Sequence, residues 1–313
     1  MTKTILAAGL LGLMGTTAMA QTVGVSMALF DDNFLTVLRN GMIEYAEGLD
    51  GVDLQVEDAQ NDVGRQLNQI ENFIAAGVDA IIVNPVDTSA TEAMTQAAES
   101  AGIPLVFVNR KPINLDSLPD DQAFVGSDEV DSGTLQGTEV CRLLTEQGTN
   151  PANVILLMGE LSNEAAITRS QMIRDTVARP ECAFMTIVEE QTGNWNRQQG
   201  QDLMTNWLTA GTEFDAVISN NDEMAIGAIQ ALKAGGVAMD DVIVAGIDAT
   251  QDALAAMQAG ELDVTVFQDA AGQGAGAVET ALALARGDAV ESSVMVPFEL
   301  VTPGNIDGFL QRN

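Results

Sequence analysis

The 313-residue chain contains no histidine. That absence excludes Ser-His-Asp and Cys-His catalysis and every His-ligated metal site together. Positive charge is scarce as well, with 13 Lys and Arg against 45 Asp and Glu and a formal net charge of −32. Phosphate binding needs a basic face, so nucleic acid is not an expected partner, and a membrane surface is disfavoured for the same reason. The acidic residues are spread over helix faces and not blocked into a tail, which is the pattern of solvated surfaces. Cysteine occurs only at Cys141 and Cys182. In an exported chain a single disulfide is the natural expectation, with two buried free thiols as the alternative. A phosphate-cradling Gly-Lys-Ser/Thr loop is also missing, which excludes a P-loop ATPase.

Long hydrophobic runs are lacking after the first residues. Met1-Thr2-Lys3, an apolar stretch from Ile5 to Met14 and Ala18-Met19-Ala20 before Gln21 have the layout of a cleavable export signal, too short to span a membrane. Gln rather than Cys at position 21 argues against a lipid anchor. The expectation is an exported, soluble protein in the periplasm. Removing 20 of 313 residues leaves 293, a length suited to two domains.

What is present is an alternation of strand-length apolar runs with helix-length amphipathic stretches, the pattern of parallel sheets built from βαβ units. Val23–Leu29, Val52–Glu57, Ala80–Asn84 and Pro104–Asn109 are predicted strands, with helices over Phe34–Leu49 and Gly64–Ala76. A second series follows at Asn153–Met158, Phe184–Glu189, Ala216–Ser219, Val242–Ile247 and Val264–Phe267, with helices over Ala165–Ala178, Arg197–Ala210, Asp222–Ala234 and Gln251–Gln258. The fold class expected is α/β: two Rossmann-like lobes joined by a multi-strand hinge. The first crossing is placed after the Pro- and Asp-rich stretch 111–122 and a short strand ending in Gly126-Ser127-Asp128, and a further crossing within the extended run Val294–Val301. The lobes expected are residues 21–125 with about 269–298, and 126–268 with about 299–313.

Open α/β sheets bind ligands at the carboxyl ends of their strands. Several of these junctions carry polar residues: Asp32 with Phe34, Asn109-Arg110, Asn221-Asp222, Asp248 and Gln268. Carboxylates accept from hydroxyls, amides donate and accept, and Arg donates several times, while aromatic rings cover apolar C–H faces; such a set outlines a neutral polyhydroxylated ligand. Asp32 and Asp222 read equally well as helix N-caps, and Thr250 is a better cap than Asp248 for the helix that follows. Gly272-Gln273-Gly274-Ala275-Gly276 has dinucleotide-loop character, but its place in an Ala/Gly-rich helix near the end of the chain favours close helix packing.

In series, Phe30-Asp31-Asp32-Asn33-Phe34, Val106-Phe107-Val108-Asn109-Arg110-Lys111-Pro112, Ser219-Asn220-Asn221-Asp222-Glu223-Met224-Ala225, Gly246-Ile247-Asp248-Ala249 and Phe267-Gln268-Asp269 make the chain resemble the periplasmic sugar-binding proteins of type I fold, the receptors of ABC transporters. The similarity is greatest to the myo-inositol-binding and glucose/galactose-binding branches. It implies that Asp32 and Asn109 bond ligand hydroxyls from one lobe and Asn221, Asp248 and Gln268 from the other side and the hinge. Phe34 and Trp195 would sandwich the ring, Arg169 would donate to ring oxygens, and Arg110 and Asn163 are added to the set. Where glucose/galactose receptors carry His and Asp before the Arg, this chain has Asn163 and Ala165, a pattern that looks more like the myo-inositol receptors. The stretch 146–153 lacks the spaced carboxylates of the calcium loop in the glucose/galactose branch, so no metal and no cofactor are expected.

The resemblance implies a monomeric, non-enzymatic receptor for a small neutral polyol or monosaccharide, with myo-inositol or a related cyclitol first and glucose, galactose or another aldose second. Its implied partner is an inner-membrane permease, and a chemoreceptor is a further candidate. A glycoside-acting enzyme using Asp32 and Asp248 is disfavoured, since nothing in the sequence marks a raised-pKa acid. A sugar-responsive regulator would need a helix-turn-helix where the export signal stands.

Overall fold

The computed structural model describes residues 21–312; the export signal expected at residues 1–20 lies outside the described residues. The first half of the chain runs β1 (Gln21–Met27), α1 (Asn33–Glu47), β2 (Val52–Asp58), α2 (Val63–Ala76), β3 (Ala80–Val83), α3 (Thr91–Ala101), β4 (Leu105–Val108) and β5 (Gln122–Gly126). The second half runs α4 (Glu129–Gln147), β6 (Ala152–Met158), α5 (Glu164–Val177), β7 (Met185–Thr192), α6 (Arg197–Ala210), β8 (Ala216–Ser219), α7 (Asp222–Ala234), β9 (Ile243–Ala245), α8 (Gln251–Gln258), β10 (Thr265–Phe267), α9 (Ala270–Ala285), β11 (Ser293–Met295) and β12 (Glu299–Val301).

One parallel sheet has the order β11-β5-β4-β3-β1-β2, and a second has the order β7-β6-β8-β9. The antiparallel pair β10-β12 lies beside β9, joined to it through bridges at Ala245 with Val264 and Asp248 with Phe267. Strands covered by helices on both faces are apolar at every position, not at alternate ones. β3 and β4 are buried throughout for that reason. Successive side chains still point to opposite faces: Ile82 belongs to the core beneath α1 and α9, while Ile81 and Val83 belong to the core beneath α2 and α3.

Several strand ends differ from expectation, among them β9, which spans only Ile243–Ala245 against Val242–Ile247. β1 begins and ends two residues earlier than Val23–Leu29, because Gln21 already pairs with Val52 and pairing stops at Met27 opposite Asp58. β7 runs on to Thr192, since its pairing continues along β6 as far as Met158. The run Val294–Val301 is broken around Pro297, which has no N–H for a ladder; β11 joins the first sheet through β5 and β12 joins β10. Residues 111–121 connect neighbouring strands of the first sheet. The chain thus passes between the sheets three times: at 126–128, at 268–269 and at 296–298.

The glycine-rich run of α9 is a helix-packing surface. A Cβ on Gly274 would lie 2.6 Å from the Leu38 carbonyl oxygen of α1, so only glycine lets the two helices approach this closely. The two cysteines are joined: Cys141 on α4 is bonded to Cys182, with a sequence separation of 41.

Candidate functional site

All ten residues named from the sequence, Asp32, Phe34, Asn109, Arg110, Asn163, Arg169, Trp195, Asn221, Asp248 and Gln268, line one cavity between the two sheets, together with Leu35, Glu129 and Ala165. The cavity is small, and its lining is almost entirely polar and aromatic.

On the first lobe, Asp32 Oδ1 accepts from the Leu35 N–H at 2.8 Å, so this carboxylate both caps α1 and faces the cavity. Burial raises its pKa, against the Leu35 hydrogen bond and the charge of Arg110. Asn109 follows β4 with φ +66° and donates through Nδ2 to Gln273 Oε1 at 3.2 Å. Arg110 Nη1 donates to the carbonyls of Pro85 at 2.8 Å and Val86 at 3.3 Å. Burial lowers its pKa, opposed by Asp32 and Glu160.

On the second lobe, Trp195 stands on Gly159. A Cβ there would occupy the volume of the indole ring, so glycine at this position seats the aromatic wall. Trp195 Nε1 donates to Asn163 Oδ1 at 3.0 Å, and its carbonyl accepts from Asn221 Nδ2 at 3.1 Å. Asn221 Oδ1 also accepts from the Met224 N–H, and so caps α7. Asp222, read from the sequence as a possible cap, instead takes the next position inward; its carboxylate is buried and accepts from the Thr250 N–H and the Thr265 hydroxyl. Thr250 caps α8 through its hydroxyl.

Arg169 is held by Glu129 in a two-pronged ion pair, 2.6 Å from Nε and 2.9 Å from Nη2, and Nη1 donates to the Asn220 carbonyl at 2.6 Å. Burial works against the guanidinium charge, and Glu129 more than restores it, so the pKa of Arg169 is raised. Asp248 lies 3.9 Å from Nη1. Its pKa is raised well above the usual carboxylate value by burial, with Arg169 opposing and Asp222, Asp32 and Glu129 adding to the rise.

Glu129 was not singled out from the sequence. The signal available was a carboxylate next to the crossing at 126–128, in a chain whose buried Arg169 needs an acidic partner. Among the described residues, the non-glycine positions with positive φ are Gln60, Asn61, Asn109, Asn194, Trp195, Asp248 and Ala249. All follow the carboxyl ends of strands, and three of them, Asn109, Trp195 and Asp248, line the cavity.

The lobes touch across the cleft. Asn163 Nδ2 donates to the Val86 carbonyl at 3.0 Å, the Thr88 N–H and hydroxyl both donate to the Ser162 carbonyl, and Asn33 Nδ2 donates to Glu223 Oε1 at 2.8 Å. The conformation is closed.

The sequence profile of the periplasmic binding protein domain matches residues 23–289. The chain belongs to this family. The periplasmic binding protein described here is 62% identical over 301 residues to a Rhizobium meliloti protein named "Putative rhizopine-binding protein", covering 96% of each chain. It is 44% identical, with a TM-score of 0.88, to an ABC transporter solute-binding protein from Bacillus halodurans with bound myo-inositol, covering 96% of this chain and 100% of that one. It is 28% identical, with a TM-score of 0.83, to the Caulobacter myo-inositol-binding protein bound to myo-inositol, covering 95% and 98%. The protein has the type I periplasmic binding protein fold and is a sugar-binding component of a periplasmic ABC transport system.

Proposed function

We propose that this periplasmic binding protein captures myo-inositol or a closely related cyclitol in the cleft. The observation that carries the reading is the convergence of the ten polar and aromatic residues, drawn from both sheets, on one cavity between them. Asp32, Asp248 and the amides of Asn109, Asn221 and Gln268 supply acceptors and donors for hydroxyls. Arg110 and Arg169 add charged donors, and Phe34 and Trp195 cover the two faces of the ring. Ala165 stands where a further carboxylate would grip the anomeric hydroxyl of an aldose, a group that a cyclitol lacks. The solved structures with bound myo-inositol support the same class of ligand.

The protein acts as a receptor without turnover, exported by residues 1–20 and monomeric in the periplasm. The lobes are residues 21–125 with about 269–298, and 126–268 with about 299–313. Closure around the ligand presents both lobes to an inner-membrane permease, and the same closed surface is available to a chemoreceptor.

A thermal-shift panel tests the reading, using mature protein unfolded and refolded to remove carried-over ligand. The panel holds myo-inositol, its stereoisomers, rhizopine, glucose, galactose, ribose and arabinose. A ligand at 100 times its Kd stabilises the fold by about 2.7 kcal/mol. A rise confined to the cyclitol group supports the proposal, and a rise with aldoses alone overturns it.

A further inference from the structure

Arg169 does more than line the cavity. Its side chain and that of Glu129 are each 4% exposed, and Glu129 is the first residue of α4, directly after the crossing at 126–128. Arg169 Nη2 lies 3.4 Å from Gln268 Oε1, on the second crossing. The guanidinium carbon stands 5.9 Å from the ring centre of Phe298, on the third, and 5.6 Å from that of Trp195. One side chain therefore touches the ligand seat and all three connections between the lobes. The first crossing is tied to the third by the Val296 N–H donating to the Gly126 carbonyl at 2.8 Å, and to α9, just past the second, by Gln273 Nε2 donating to Ser127 Oγ at 2.8 Å.

We propose that Arg169 couples the ligand seat to the hinge, by binding the second-lobe ends of all three crossings into one unit, and that Glu129 is the positioning residue that holds it there. The physical basis is geometric. Three separate connections bend about a common axis only if their ends move together, and a planar guanidinium clamped by a carboxylate fixes those ends relative to one another. Lysine offers a single point charge in place of the fork and cannot make the same set of contacts. The interior position strengthens the pair, because little water competes for it.

The inference rests on the cleft being the binding site, so its test includes a ligand-free arm. Spin labels at the exposed positions Glu92 on α3 and Gln198 on α6 report the distance between lobes in the full mature protein, before and after addition of myo-inositol. Glu129→Gln and Arg169→Lys are expected to broaden the ligand-free distance distribution and to weaken myo-inositol binding at least tenfold. Phe298→Leu, which removes only the third contact, is expected to broaden the distribution without loss of the ion pair, and it serves if the charge variants fail to fold. A lower melting temperature with parental distance distributions would mean that the pair is merely structural and would overturn the proposal. If the parent protein ignores myo-inositol, the ligand assignment fails, yet the ligand-free distributions still decide the role of Arg169.

Discussion

Asn163 reaches across the cleft to the Val86 carbonyl at 3.0 Å while its oxygen accepts from the indole N–H of Trp195. The resemblance to sugar receptors casts Asn163 as a direct partner of ligand hydroxyls. Here Asn163 lines the cavity while its amide nitrogen donates to the opposite lobe and its oxygen holds the indole of the aromatic wall. Asn163→Asp keeps the acceptor for Trp195 and removes the donor to Val86, whereas Asn163→Ala removes both. A buried polar group left without its partner costs about 1–3 kcal/mol. The alanine variant is expected to bind roughly tenfold to a hundredfold more weakly. Stopped-flow traces should place the loss in faster dissociation, and the aspartate variant should dissociate faster while keeping parental tryptophan emission.

The seat of Trp195 gives a second expectation. Gly159→Ala introduces a methyl group where the indole lies, and the ring must move. Titration calorimetry should show a large loss of affinity, with tryptophan emission of the ligand-free protein shifted from that of the parent. Trp195→Ala should abolish most binding and leave ligand-free melting nearly unchanged, because Trp195 is only partly buried. A sharp fall in melting temperature would instead assign the ring to the core.

Asp222 governs a pH dependence of stability. Burial pushes its pKa up to about 7, against hydrogen bonds from Thr250 and Thr265. The folded chain therefore keeps this proton at pH values where the unfolded chain, at 3.8, has released it. The resulting stabilisation is complete below about pH 4 and is lost as pH rises through about 7. Its ceiling is about 4 kcal/mol at 1.36 kcal/mol per pH unit. Calorimetric melting of the ligand-free protein should therefore occur at a higher temperature at pH 5.5 than at pH 8. Asp222→Asn should reduce the slope, leaving the part contributed by Asp32 and Asp248, whose pKa values burial also raises, and an unchanged slope would remove Asp222 as a source.

The Cys141–Cys182 bridge closes a loop with a sequence separation of 41. In the chain-entropy account such a closure contributes about 4 kcal/mol. Cys141→Ser with Cys182→Ser should lower the melting temperature by several degrees while leaving ligand affinity close to parental, since neither residue lines the cavity.

The polar residues of the cavity were legible because a parallel α/β sheet gathers the loops after its strands at one edge. Asp32, Asn109, Asn221, Asp248 and Gln268 could be picked out by position alone. Their double duty was not. Asp32 and Asp222 each read as a possible cap; in the structure the caps are Asp32 and Asn221, each of which caps a helix while facing the cavity. Glu129 and Arg169 are 40 residues apart, and their meeting depends on the close approach of α4 and α5 at Gly133, where a Cβ would lie 2.9 Å from the Arg169 carbonyl oxygen. Nothing in local sequence reports such a crossing. The contact between Val86 and Asn163 was hidden for a related reason, because it joins residues 77 positions apart on the two sides of the cleft.

The threefold passage of the chain has a consequence for how the molecule is made. The edge strand β11 of the first sheet and the α9 residues Ala277, Val278 and Ala281 of its core arrive only after nearly the whole second sheet has been synthesised. An emerging polypeptide cannot finish its first lobe early. A ribosome-bound fragment ending near residue 265 would expose the apolar groove that α9 later fills, so acquisition of the native first lobe waits on the last fifty residues.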